Sequence, residues 1–252
     1  MRYDLGAHLD IGVGRKLQED YVRFQEFGGD LLAVVADGTG TTDDYLQPAV
    51  LAVNNILKDV SLMVEKHSDL FNRDPLFFLE QAMLNANRMI GMLKLANEER
   101  YSGYMASVST LFLTEKGEFY YAHAGNTRIY LLRANNLLQL TEDHTVGMQK
   151  IAEGVMQESL YYTHEDRLKL TSGIGFADQP QIYLNQGKIK NNDILIMTSD
   201  GIHYALLPDV MVRTILESES VVNAAENLVY LAVNEVHYPD NMAAVIIGAT
   251  EQ

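Results

Sequence analysis

Acidic residues recur where apolar, strand-like runs begin or end. Asp37 follows Leu31–Ala36 and precedes Gly38, and Asp200 follows Ile194–Ser199 and precedes Gly201. Asp240-Asn241 leads into Met242–Gly248, and Glu19-Asp20 leads into Tyr21–Phe27. A carboxylate at a strand end can reach into a cleft without being entombed. Taken singly, an Asp-Gly pair reads as a turn, because Gly accepts positive φ and Asp caps its own backbone. Taken together, the acids form an oxygen-only donor set. Such sets suit hard cations such as Mg²⁺ and Mn²⁺, which take carboxylates, a backbone carbonyl and waters. A Gly after a ligand Asp lets its own carbonyl turn toward an ion, since no Cβ stands in the way. Two ions about 3.5–4 Å apart can share a hydroxide and clamp a phosphoryl group during in-line displacement. That chemistry describes a two-metal hydrolase; the turn and solvated-surface readings of the same acids stay open on this evidence.

The elements that would hold these acids can be read from periodicity. Pro75, with Asp74 as N-cap, opens a helix carrying Leu79, Ala82, Met83, Ala86, Met89, Ile90 and Leu93 at helical spacing. Another begins near Tyr45 and carries Ala49, Leu51–Val53, Ile56, Leu57, Val60 and Val64; two more are expected at about Pro208–Leu216 and Val221–Val236. Strands are expected at Tyr21–Phe27, Leu31–Ala36, Ser107–Thr114, Glu118–Ala124, Arg128–Arg133, Leu137–Leu140, Ile194–Ser199 and Met242–Gly248. Hairpin-linked strands with grouped helices argue for an α+β fold, antiparallel sheets covered by helices, rather than a doubly wound parallel sheet. No repeat or linker divides the chain, so one domain over 1–252 is the expectation.

Composition removes other chemistries. The 252 residues are 47% hydrophobic and 21% charged, enough apolar content for a sizeable core. The absence of cysteine excludes a thiolate metal site, a disulfide framework and a cysteine nucleophile. Nineteen basic against 34 acidic residues give a net charge of −15, a field that repels nucleic-acid backbones. No apolar run approaches the roughly 18 residues of a membrane span, and the N-terminal residues lack the apolar core of a secretion signal. A soluble, cytoplasmic protein with no membrane or nucleic-acid partner is therefore expected.

Seven motifs, in order, resemble those of the metal-dependent type 2C serine/threonine protein phosphatases in their compact bacterial form. They are Gly14–Asp20, Val34–Gly38, Ser107–Thr110, Ala124–Tyr130 with Gln139–His144, His164–Gly175, Thr198–Gly201 and Asp240–Met242. The resemblance implies a four-layer α-β-β-α sandwich, two antiparallel sheets flanked by helix pairs, with a flap segment at about 143–172. It implies two Mn²⁺ or Mg²⁺ ions, bridged by Asp37, with Asp200 and Asp240 completing one site and the Gly38 carbonyl the other. Glu19 and Asp20 would orient metal-bound waters, and Arg15 would bind the substrate phosphate bidentately. The implied reaction is hydrolysis of a phosphorylated protein by direct attack of a metal-bridging water, opposing a Ser/Thr kinase in a bacterial signalling circuit. A monomer is expected.

The chain also departs from the family's pattern. Asn126 stands where Asp is usual, which should leave a third metal site weak or empty, because an amide is a poorer ligand than a carboxylate. Thr41 replaces a loop glycine, Thr39 replaces a His of some members, and Leu168 and Ser172 stand where Asn and Arg are common. These departures motivate an alternative, a catalytically weak or inactive phosphatase-like binding module; a two-metal phosphodiesterase is a further one. His123 reads as a satisfied core histidine, His144 as fixing a loop and His164 as anchoring the flap. Tyr161-Tyr162 reads as aromatic packing, Met83, Met89 and Met92 as core, and Gly12-x-Gly14 as a chance match to a nucleotide loop.

Overall fold

The computed structural model describes residues 1–40, 46–235 and 239–251. The first half of the chain gives β1 (Arg2–Asp10), β2 (Asp20–Phe27), β3 (Asp30–Thr39), α1 (Pro48–Lys66), α2 (Ser68–Phe71), α3 (Pro75–Ala96) and α4 (Glu98–Tyr101). Then come β4 (Met105–Leu113), β5 (Glu118–Ala124), β6 (Arg128–Arg133), β7 (Asn136–Gln139) and α5 (Val146–Ala152). Two 3-10 turns (Glu158–Thr163 and Glu165–Leu168) precede β8 (Tyr183–Lys188), β9 (Ile194–Thr198), α6 (Asp200–His203), α7 (Pro208–Glu217), α8 (Val221–Asn234) and β10 (Met242–Thr250).

Two antiparallel five-stranded sheets result, in the orders β1-β10-β9-β6-β7 and β2-β3-β4-β5-β8. The run Leu31–Ala36 explains the layering. Successive side chains of a strand point to opposite faces. Leu31, Ala33 and Val35 meet Leu111, Leu195, Met197, Val245 and Ile247 between the sheets. Leu32, Val34 and Ala36 meet Ala52, Ile56, Met83 and Ile90 of α1 and α3. A strand covered on both faces reads as a continuous apolar run rather than an alternating one. On the far side of the other sheet, Ile196, Ala244 and Ile246 pack under Met211, Ile215, Ala225 and Leu228 of α7 and α8. The four-layer α-β-β-α sandwich expected from the motifs is thus the fold.

Capping sets the start of α3 where the sequence placed it: the Asp74 carboxylate accepts the Phe77 amide at 3.1 Å, and Pro75 sits in the first turn. The other long helix begins at Pro48 in the structure; its expected start at Tyr45, like Val236 and Thr41, lies outside the described residues. Two strands escaped the sequence reading. β1 pairs with β10 along its length, and Tyr3, Leu5, Ala7 and Leu9 alternate with polar positions, but Gly6 and the small Ala7 dilute the apolar signal. β8 is an edge strand with only Tyr183 and Leu184 to mark it. Met92 corrects another expectation: two positions past buried Ile90, it lies on the outer face of α3 and is 64% exposed.

The segment after β7 leaves the sandwich and returns. Thr145 pairs with Leu170, the Val146 amide donates to the Lys169 carbonyl at 2.8 Å, and the Thr171 amide donates to the His144 carbonyl at 2.8 Å. Among the described residues no helix is long and apolar enough to cross a membrane.

Candidate metal and phosphate site

Asp37 does not follow its strand; it continues it. β3 runs on through Gly38 and Thr39, with Asp37 opposite Asp20 on β2 and Ser107 on β4. The sequence placed a turn there because Asp-Gly favours one, yet pairing on both sides holds the backbone extended. The row Leu31, Ala33, Val35 therefore ends on Asp37, which projects between the sheets where the apolar filling stops. Gly38 points the other way, toward the start of α1, where a Cβ would lie 3.0 Å from the Ala49 amide. Its amide donates to the Glu19 carbonyl at 3.0 Å.

The second sheet supplies the facing acids. Asp200 opens α6 directly after β9 and Ser199. The Ser199 hydroxyl donates to the Asp20 carboxylate at 2.6 Å and accepts the Ala243 amide at 2.9 Å, so one side chain joins both sheets. Asp240 precedes β10 and accepts its neighbour's amide, that of Asn241, at 2.8 Å. Arg15 donates from Nη2 to Asp240 and from Nε to the Pro239 carbonyl at 3.3 Å. Its ion partner is thus the acid of the last motif, 225 residues away.

Asn126 lies against the same acids. Its side-chain amide donates to the Asp200 carboxylate at 3.1 Å, and its backbone amide donates to the Ser107 hydroxyl at 2.7 Å. All five acids named from the sequence, with Arg15 and Gly38, come together: Arg15, Glu19, Asp37, Gly38, Asp200 and Asp240 line one cleft of about 370 Å³, and Asp20 lies buried beside it.

Sequence reasoning gave no role to Asn241, the residue that assembles this cleft. Buried at the mouth of β10, its amide donates to the carbonyls of Ile11 at 2.7 Å and Leu17 at 2.9 Å, and its side-chain oxygen accepts the Glu19 amide at 2.8 Å. Gly12 completes the approach: it holds φ at 76°, and a Cβ there would run into the Asp240 carbonyl. Its part in the chance-level Gly-x-Gly match is therefore packing. Ser107 and Ser199 were likewise unassigned, since a lone Ser carries no spacing signal.

Burial, then mutual repulsion, governs the protonation of the acids. Burial pushes Asp20 and Asp37 well above the usual carboxylate range, and the neighbouring carboxylates add to it. Asp200 is pushed up to about 7 by burial and by Asp240, against the opposing hydrogen bonds of Asn126 and Asp37. Among the described residues no three His, Asp or Glu side chains are closed up as a ready coordination sphere. The donor chemistry nonetheless fits hard cations: oxygen ligands only, with more negative charge than Arg15 alone offsets. Asp37, Asp200, Asp240 and the Gly38 carbonyl could hold them.

The other singled-out side chains serve the scaffold. His123 bonds the Ser109 hydroxyl at 3.0 Å and the Glu142 carbonyl at 3.1 Å. His144 Nδ1 accepts the Gly125 amide at 3.3 Å, and His164 Nδ1 accepts the Asp166 amide at 3.2 Å. Buried Tyr161 donates to Asp143 at 2.6 Å, whereas Tyr162 is exposed with the Arg128 guanidinium 5.7 Å from its ring centre.

Known proteins share this fold. A family model described as Protein phosphatase 2C matches residues 52–153, a stretch that lies between Asp37 and Asp200. The protein phosphatase PhpP of Streptococcus pneumoniae serotype 2 is 24% identical over 252 residues, covering 99% of this chain and 98% of that protein. The serine/threonine phosphatase PstP/Ppp of Mycobacterium tuberculosis superposes with a TM-score of 0.85 at 21% identity, covering all of both chains. A PstP catalytic domain solved with two manganese ions superposes with a TM-score of 0.81 at 20% identity, covering 99% of each chain. The fold, the end-to-end alignment and the matching stretch agree in making this chain similar to the protein phosphatase 2C proteins.

Proposed function

We propose that this protein is a Mn²⁺- or Mg²⁺-dependent phosphoserine/phosphothreonine protein phosphatase. One observation carries the reading: carboxylates from both sheets converge with a single arginine in one cleft. The relatives, named as protein phosphatases, and the manganese-bearing PstP domain support it. No relative favours the inactive binding module.

In this reading Asp37, Asp200, Asp240 and the Gly38 carbonyl would hold the two ions. When bound, the ions supply Lewis acidity and a water acidic enough, with a pKa of about 7, to attack phosphorus without a covalent enzyme intermediate. Arg15 leaves Asp240 and takes two phosphate oxygens in its planar fork, stabilising the charge that grows there. Glu19 and Asp20 orient water at the site, with Ser199 fixing Asp20. Asn126 donates to Asp200 where a carboxylate would coordinate, so two ions rather than three are expected. The substrate is a phosphorylated protein made by a Ser/Thr kinase. The protein acts as a cytoplasmic monomer, one domain over 1–252 with 143–172 as its flap, without nucleic acid or membrane.

The test is hydrolysis of para-nitrophenyl phosphate with millimolar Mn²⁺ and after chelation. Turnover that requires Mn²⁺ and vanishes with chelator supports the reading. A folded, Mn²⁺-replete sample without turnover overturns it.

A further inference from the structure

The cleft has an unlike lining. Besides the acids and Arg15 it is lined by Met105, Leu168, Leu170 and Phe176. Leu168 and Phe176 are each 42% exposed, at the edge of a site whose floor is charged. Single exposed apolar residues are ordinary on a protein surface. Several lining one cleft, on backbone that is tied down, are a different matter.

The loop bearing Phe176 is clamped from below. Asn87 on α3, 4% exposed, donates to the carbonyls of Ala177 at 3.0 Å and Asp178 at 3.2 Å and accepts the Gly175 amide at 2.6 Å. Lys94 donates to the Gly175 carbonyl at 2.5 Å, and Ile174 exchanges two 2.8 Å backbone bonds with Ala106. Buried polar groups thus hold a loop whose aromatic ring is left in solvent. Leu168 ends the second 3-10 turn, which is fixed from both sides. Asp166 is tied to Lys150 and Lys169 at 2.5 and 2.8 Å, and the Arg167 carbonyl accepts the Tyr204 hydroxyl at 3.0 Å. A preorganised apolar wall loses little conformational freedom when something packs on it.

We infer that Leu168, Leu170, Phe176 and Met105 form a recognition wall for a bulky apolar side chain flanking the phosphorylated Ser or Thr. The inference rests on the phosphatase reading and narrows its substrate. A phosphate on the charged floor leaves the neighbouring residues of its own chain over the wall, so the wall continues the phosphate site. Charge narrows the occupant further. Arg15 is the only Lys or Arg among the described cleft-lining residues, and the protein carries −15, so acidic flanking residues are repelled. The occupant is a phosphoprotein segment with Leu, Ile, Phe or Met beside the phosphoresidue and no acidic neighbours.

The test compares two phosphothreonine peptides of equal net charge, one with Leu and Phe flanking the phosphoresidue and one with Ser at those positions. With Mn²⁺-loaded protein, kcat/KM is expected to be about tenfold higher for the apolar peptide, the lower end of what a single methylene contributes to discrimination in an apolar pocket. In the doubly substituted Leu168→Asn, Phe176→Ser protein, checked by circular dichroism, the ratio should fall toward one. A wild-type ratio near one overturns the inference, as does a ratio that survives in the variant. Fluorescence anisotropy with the same labelled peptides separates the wall from the chemistry. If neither peptide nor para-nitrophenyl phosphate is hydrolysed, tighter binding of the apolar peptide upholds the wall while the phosphatase reading falls. Equal affinities in that case overturn the wall as well.

Discussion

Asp20 and Asp37 face one another across neighbouring strands, a placement in which like charges oppose folding. Burial and repulsion raise both, so their protonated forms are favoured in the folded protein. The sign of the linkage follows. A raised carboxyl contributes stability that is full below the unfolded value of about 4 and is lost as pH rises through the folded one. At neutral pH the metal-free protein therefore bears a local destabilisation that a cation would relieve. Asp37→Asn should abolish hydrolysis yet raise the melting temperature of the chelated protein by a few degrees, about 1 kcal/mol. An unchanged or lower melting temperature would contradict this. His123 works the other way. Burial, helped by His144, lowers it to about 3, so it stays neutral in the folded protein while an unfolded imidazole protonates below about 6.5. Its contribution is present at neutral pH and is lost as pH falls. Between pH 8 and 5 the stability gap between wild type and His123→Asn should shrink by about 2 kcal/mol, read from denaturant midpoints. A constant gap would contradict the assignment.

Strand and helix ends decide which acids meet. The loop between β1 and β2 carries Arg15 and Glu19, and Asn241 at the start of β10 pins it with three hydrogen bonds. Asn241→Ala leaves two carbonyls and an amide without that partner. It should lower stability by about 2–3 kcal/mol and weaken Mn²⁺ binding at least tenfold, measured by denaturation and calorimetry. Retained affinity would show that the loop is held by other means. α6 links another pair of sites: Asp200 opens it, and Tyr204 at its end bonds the Arg167 carbonyl of the segment between β7 and β8. The sequence made some of these elements legible and hid others for physical reasons. Leu31–Ala36 announces itself because both its faces are buried, and Asp74-Pro75 marks a helix start by capping chemistry. Asp37 was misplaced at a strand end because local Asp-Gly preference favours a turn, and only the strands on either side override it. β8 was missed because its polar residues leave only Tyr183 and Leu184 to mark it, and β1 because Gly6 and the small Ala7 dilute a regular alternation.

At the scale of the molecule, the two sheets are separate platforms that each bring part of the donor set. Asp20 and Asp37 come from one, Asp200 and Asp240 from the other. Between them the core is apolar until the rows run out, and the charge is concentrated at that end. The placement of these acids was legible in the sequence because each stands next to an apolar run. The clamps were not, because Asn241, Ser199 and Ser107 act on partners far along the chain and leave no local pattern. The central claim is that this junction is a binuclear metal site. Calorimetric titration with Mn²⁺ tests it most directly, with phosphate release from a phosphothreonine peptide followed on the same samples. The account predicts two ions bound by the wild type, a third gained in Asn126→Asp, and lost stoichiometry together with lost turnover in Asp37→Asn. Wild-type protein that binds no Mn²⁺, or an Asp37→Asn protein that keeps both ions and turnover, would contradict it.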